Sequence, residues 1–173
     1  MVMNKEIGNT ANKIWLIGDS NPFKLEQVLD TPLDPRHPTR HNIWTPICEV
    51  INDYVYKNSK LRLDSEKLYI RNAVENSKIK PRKTVREWSP ALDHMVNDLS
   101  VLVKQKNPKV IFSFGSFSFE FCRRAIENQI KYKSDYWDTK AMGRAFIDRI
   151  DSNDYRISSG SNQLSIGHWG SET

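Results

Sequence analysis

The chain has 173 residues, 38% of them hydrophobic, which fits one domain with a full core and excludes wholesale disorder. Its formal net charge is +5, which favours a polyanionic partner without identifying one, since many proteins are simply basic. Two cysteines, Cys48 and Cys122, are too few for a disulfide framework, a zinc ribbon or an iron–sulfur cluster, and both are expected as buried thiols. No stretch approaches the 18 to 20 apolar residues of a membrane span, and the N-terminus lacks a signal-peptide run, so a cytoplasmic protein with no membrane partner is expected.

In chain order, Lys13 to Gly18 (KIWLIG) is a short apolar run ending in glycine, the pattern of a buried strand that opens into a loop. From Pro22 to Pro46 five prolines exclude a long helix and leave a long loop, a feature that is commonly functional. A helix follows from Thr45, with Pro46 in its first turn and Ile47, Val50, Ile51, Tyr54 and Val55 on one face. Lys67 to Val74 alternates as a strand does, and Lys78 to Arg86 is a basic loop.

Ser89 and Pro90 form an N-cap and first helical position, and Leu92, Met95, Val96, Leu99, Leu102 and Val103 carry that helix to Asn107-Pro108. Lys109 to Phe114 reads as a fully buried strand, turning at Gly115 into a helix over Ser116 to Lys131. A last helix falls within Trp137 to Ile150. Residues 151–173 read as a loose or divergent segment of the same single domain, with a weak strand near Gln163 to Ile166. Alternating strands and helices predict an α/β fold with a parallel sheet covered on both faces, whose ligands bind beyond the carboxyl ends of the strands.

The first strand runs into Gly18-Asp19-Ser20-Asn21-Pro22, for which two chemical readings compete. Gly-Asp-Ser after a strand resembles the opening block of the SGNH (GDSL-type) hydrolases, with Ser20 as an esterase nucleophile. That family needs a late Asp-x-x-His; Asp34 to His37 has the spacing but comes too early, and His168 has no such aspartate. A serine without a base is not activated.

The second reading joins three strand ends. Gly18-x-x-Asn21-Pro22 resembles, with one extra residue, the Gly-x-Asn-Pro water-activating motif of the uracil-DNA glycosylase superfamily. Leu68 to Val74 (LYIRNAV) resembles the strand whose terminal Asn reads the flipped base. Lys106 to Gly115 (KNPKVIFSFG) is similar to the family's Lys-Pro-Lys-Val-Ile strand and turn, and Arg40 to Trp44 (RHNIW) to its Asn-x-Phe-Trp helix entry. The match spans residues 13–126 in order.

The resemblance implies a three-layer α/β/α sandwich with a central, mainly parallel four-stranded sheet, and a cofactor-free, monomeric base-excision enzyme of DNA repair. It would hydrolyse the N-glycosidic bond of uracil or a similar deaminated base in single- or double-stranded DNA. Such a reaction passes through an oxocarbenium-like sugar and needs a group to hold water and donors for the departing base. Asn21 could hold the water through its carbonyl, or Asp19 through its carboxylate. Asn72 would pair with the flipped base, with Phe23 or Trp44 as stacking wall. Core packing and strand-end capping are the ordinary roles of such residues.

The family's late His-Pro-Ser or His-x-Ser motif is matched here only by His168 in Ile166 to Ser171 (IGHWGS), where the pattern departs. Lys78, Lys80, Arg82, Lys83 and Arg86 would contact the DNA backbone, and Arg123, Arg124, Lys131 and Lys133 form a second basic cluster. No metal-ligand spacing is present. A catalytically degenerate member that binds nucleic acid or protein through the same cleft is the alternative.

Overall fold

The computed structural model describes residues 6–25, 29, 31–32, 34, 36–37, 41, 45–62, 67–127, 130–151 and 165–168. It is a mixed α/β fold with three parallel strands, β1 (Ile14–Gly18), β2 (Leu68–Asn72) and β3 (Val110–Ser113). Four helices accompany them: α1 (Thr45–Ser59), α2 (Pro90–Lys106), α3 (Ser116–Glu127) and α4 (Thr139–Asp151).

β1 is central. It pairs with β2 from Ile14↔Leu68 to Gly18↔Asn72, and with β3 from Ile14↔Val110 to Ile17↔Ser113. A strand hydrogen-bonded on both edges and covered on both faces must be apolar throughout, which is why Trp15, Leu16 and Ile17 are all fully buried. Beside β3 the short segment Ser165–His168 runs parallel, with His168 opposite Ser113; its side chains lie outside the described residues.

The two sheet faces build separate cores. Trp15, Ile17, Tyr69 and Ile111 meet α2 and α3 through Leu92, Val96, Phe117 and Phe121. On the other face Leu16, Leu68, Ile70 and Phe114 pack with Ile7, Ile14 and Phe112. The period of two along each strand sorts these side chains.

The predicted helix signals of α2 are realised. Ser89 Oγ accepts from Leu92 N (3.4 Å), Pro90 opens the helix, and Asn107 ends it in the left-handed conformation (φ 48°). Lys13 Nζ then donates to the terminal carbonyls of Lys106 (3.3 Å) and Asn107 (3.2 Å), a cation where the helix dipole is negative.

α1 forms where predicted; on its apolar face Val50 and Tyr54 are 49% and 71% exposed, and Ile51 and Val55 are half-buried. Periodicity marks a helix but not the depth to which it is buried. α3 stops at Glu127 rather than Lys131, because residues 130–132 turn back over the helix: Tyr132 N donates to Glu120 Oε1 (2.8 Å), and Ile130 O accepts from Arg123.

Cys122 is buried, as expected, and burial pushes its thiol up to about 12, which makes it inert; Cys48 is half-buried. Among the described residues no helix is long and apolar enough to cross a membrane.

The outer edge of β2 is closed by an antiparallel bridge, Ile7 and Ile70 exchanging two backbone bonds of 2.9 Å. Gly8 makes this possible: its φ is +77°, and a Cβ there would fall 1.8 Å from Leu68 O. Gly8→Ala is therefore expected to open the bridge and cost about 2 kcal/mol or more, read as a lowered urea midpoint.

Candidate active site

Beyond the sheet, the exits of β1 and β2 stay side by side. Ala73 N donates to Gly18 O (2.8 Å), Val74 N to Asp19 O (3.2 Å), and Asn21 forms a parallel bridge with Asn76. This extension brings together polar side chains that are more than fifty positions apart in sequence. Asn72 Nδ2 donates to Asn21 Oδ1 at 2.9 Å, and Asn72 is only 7% exposed.

The next turn supplies a cation. Asn76 Oδ1 accepts from Lys78 N (2.8 Å) and caps the single 3-10 turn Ser77–Ile79, after which Lys80 points back. Lys80 Nζ reaches Asp19 Oδ1 at 2.7 Å, and it lies 5.6 Å from the centre of the Phe117 ring. Both members of this pair are about one-third exposed, so water reaches them.

β3 closes the third side. Phe114 N (2.9 Å) and Ser118 Oγ (2.8 Å) both donate to Ile17 O, which draws the start of α3 against the end of β1. Gly115 has φ +97°, and a Cβ on it would stand 3.6 Å from Asp19 Oδ2. No side chain from Gly115 covers that oxygen, while Oδ1 is held by Lys80.

No protein-family model and no curated protein matches the chain. Its chemistry is read from these strand ends. The arrangement offers a carboxylate with one oxygen lacking a partner among the described residues, a nearly buried primary amide held in orientation by a second amide, and one ammonium. Such a set can position water and hold a planar ring bearing neighbouring donors and acceptors.

The structure thus pairs Asn21 with Asn72 and Asp19 with Lys80 at neighbouring strand ends. Between the two groups left open for water, Asn21 spends its carbonyl oxygen on Asn72, and Asp19 retains an oxygen without a protein partner among the described residues. Lys80, one of the lysines expected to meet the DNA backbone, is paired with Asp19 at the strand ends. Lys78, Arg82, Lys83 and Arg86 are exposed, and Arg86 Nε donates to Lys131 O at 2.6 Å.

Phe23 lies in a single turn, Phe23–Leu25, just past Asn21; its side chain, all of Trp44, and the side chain of His168 lie outside the described residues. Arg123 and Arg124 are not a surface cluster. They are 3% and 7% exposed and paired with the fully buried Glu120. For the esterase reading, Asp34 is engaged by Arg36 through both oxygens (2.9 and 2.7 Å). His37 is buried, which lowers its pKa against the opposing charge of Asp34.

Sequence reasoning missed Asn76 and Gly115 as parts of the site. Asn76 follows Asn72 by four residues at a strand exit, a turn-forming residue whose Asx cap was the available signal. A hollow of about 350 Å³ lined by Asn52, Asp53, Tyr56 and Arg62 shares no residue with these strand ends.

Proposed function

We propose that the chain is a DNA glycosylase of the uracil-DNA glycosylase type, hydrolysing the N-glycosidic bond of a flipped deaminated base without a cofactor. The observation that carries this reading is the 2.9 Å bond by which Asn21 fixes the nearly buried Asn72 amide at the end of β2, next to the strand that Asp19 follows. In this account Asn72 pairs with the edge of the base, and Asp19 holds the attacking water at Oδ2 and stabilises the cationic sugar.

The fold of this proposal is a three-layer α/β/α sandwich, with Ser165–His168 as the fourth strand beside β3. That position would put His168 at the carboxyl end of the sheet, across from Ser113, where it could donate to the departing base. Exposed Lys78, Arg82, Lys83 and Arg86 would meet phosphates.

One observation favours a second reading, a member of the same fold that binds DNA without cleaving it. The 2.7 Å Lys80–Asp19 pair neutralises the carboxylate and clamps two loops, which is also what a purely structural lock does. Single-turnover incubation with end-labelled oligonucleotides bearing uracil or hypoxanthine, followed by alkali, separates the two. Strand cleavage at the modified base supports the glycosylase. Salt-sensitive binding with no cleavage of any substrate supports the non-catalytic member.

A further inference from the structure

The basic loop after β2 ends against a second loop, and the two form one surface. Asp135 N donates to Lys83 O (3.1 Å), and Arg86 Nε to Lys131 O (2.6 Å). From beneath, Arg124 Nη2 donates to both Arg86 O and Tyr132 O, each at 2.8 Å, so residues 82–86 and 131–137 are pinned to α3 together. A surface braced in this way loses little conformational entropy when a ligand is bound.

Tyr136 stands on this ledge, 54% exposed. Its ring stacks on Tyr132 (4.5 Å, 18°) and meets Trp137 edge-on (4.9 Å, 87°), while Tyr132 lies 4.9 Å from the Arg123 guanidinium. An exposed ring whose orientation is fixed from within offers a flat apolar face to solvent.

Around it Arg82, Lys83, Arg86 and Lys133 are exposed, and none is paired with a carboxylate among the described residues. Nearby acids are largely spent: Glu87 and Asp93 face Lys131 (3.7 and 3.8 Å), and Asp138 caps α4 through Ala141 N (2.7 Å). Asp135 is the remaining carboxylate of residues 131–137.

We infer that this ledge binds a single nucleic-acid strand, one unpaired base stacking on Tyr136 and the phosphates meeting Arg82, Lys83, Arg86 and Lys133. Stacking is sequence-tolerant because every base has a π-face, and cations beside the ring track the backbone. A duplex keeps its bases paired and gives the ring no partner; an acidic peptide uses the cations and leaves the ring idle. Lys80 and Arg86 are six residues apart, at most about 20 Å of extended chain, so the ledge lies within that distance of the strand ends. The inference stands on the ledge geometry and does not require hydrolysis at Asp19.

The test is fluorescence anisotropy of labelled oligothymidylate with the full chain, titrated against salt, with the same-length duplex and heparin as competing polyanions. Tyr136→Ala is expected to weaken oligothymidylate binding about tenfold or more and leave heparin binding unchanged, whereas Tyr136→Phe binds as wild type. Lys83→Glu with Lys133→Glu should lower the salt slope by about 1.4, two single-strand phosphate contacts at about 0.7 each. Should Tyr136→Ala melt early by circular dichroism, Tyr136→Leu, which keeps an apolar contact with Tyr132 but no ring, takes its place. A ring-less variant that binds oligothymidylate like wild type, a duplex bound as tightly as the single strand, or no binding by wild type overturns the inference. None of these readouts involves base excision, so its failure and the failure of the glycosylase reading are separately visible.

Discussion

Glu120→Ala is expected to destabilise the chain by about 3–5 kcal/mol, the usual consequence of removing one member of a buried charge network. Glu120 is fully buried and accepts from Arg123 Nε (2.8 Å) and Nη2 (3.0 Å), Arg124 Nε (2.8 Å), Tyr132 N (2.8 Å) and Trp137 Nε1 (2.7 Å). Alanine would leave two buried guanidinium groups, an indole N–H and a backbone amide without this acceptor. Arg124 also lies 3.5 Å from the centre of the Trp88 ring, so its displacement would disturb the core between α2 and α3.

The same group sets an acid limit. Burial by itself would raise the Glu120 carboxyl, but bonds from Arg123, Arg124 and the Tyr132 amide outweigh it and hold it below its usual value of 4.5. A carboxyl whose folded value is depressed stabilises the fold above its unfolded pKa, and that contribution disappears as pH falls through the folded value. The stability of wild type against urea should therefore fall below about pH 4.5, and Glu120→Gln, uncharged throughout, should lack this part of the slope. Equal stability of Glu120→Ala and wild type at pH 7 would contradict the role given to this buried charge network.

Asp19→Ala carries the other large expected effect, a loss of excision by about 10² to 10⁴-fold with oligonucleotide binding retained within a few-fold. The reason is the division of labour at its two oxygens: Oδ1 is fixed by Lys80 at 2.7 Å, and Oδ2, with no partner among the described residues, is left for the proposed water. In the proposed reaction, removing the carboxylate would take away the water site but none of the exposed cations at Lys78, Arg82, Lys83 and Arg86. Asn21 would act one step removed, through the Asn72 amide it holds in place.

Much of the frame could be read in the chain. Apolar runs at Lys13 to Gly18 and Lys109 to Phe114 marked strands that structure bears out as β1 and β3, and Ser89-Pro90 marked the start of α2, because these signals are local. The convergence of Asp19, Asn21 and Asn72 was also legible, since parallel strands place all their carboxyl ends on one edge. The direction of Lys80 was not: a lysine in a run of basic residues carries no sign that Asn76 will cap a turn and aim it inward.

The role of Glu120 was hidden for a related reason. Its spacing to Arg123 and Arg124 is visible as i,i+3 and i,i+4, but that pattern usually describes an exposed helix face. Only the return of residues 130–137 over α3 buries it, and that is a tertiary fact. Likewise the stripe on α1 announced a helix, while the exposure of Val50 and Tyr54 depends on what the fold brings against it.

The most direct measurement is the single-turnover excision rate of wild type and Asp19→Ala on uracil- and hypoxanthine-bearing oligonucleotides, with binding to the same oligonucleotides measured in parallel. The account predicts alkali-labile sites with wild type, their loss by about 10² to 10⁴-fold in Asp19→Ala, and near-equal binding. Excision by Asp19→Ala at the wild-type rate, or no excision by wild type, would contradict it.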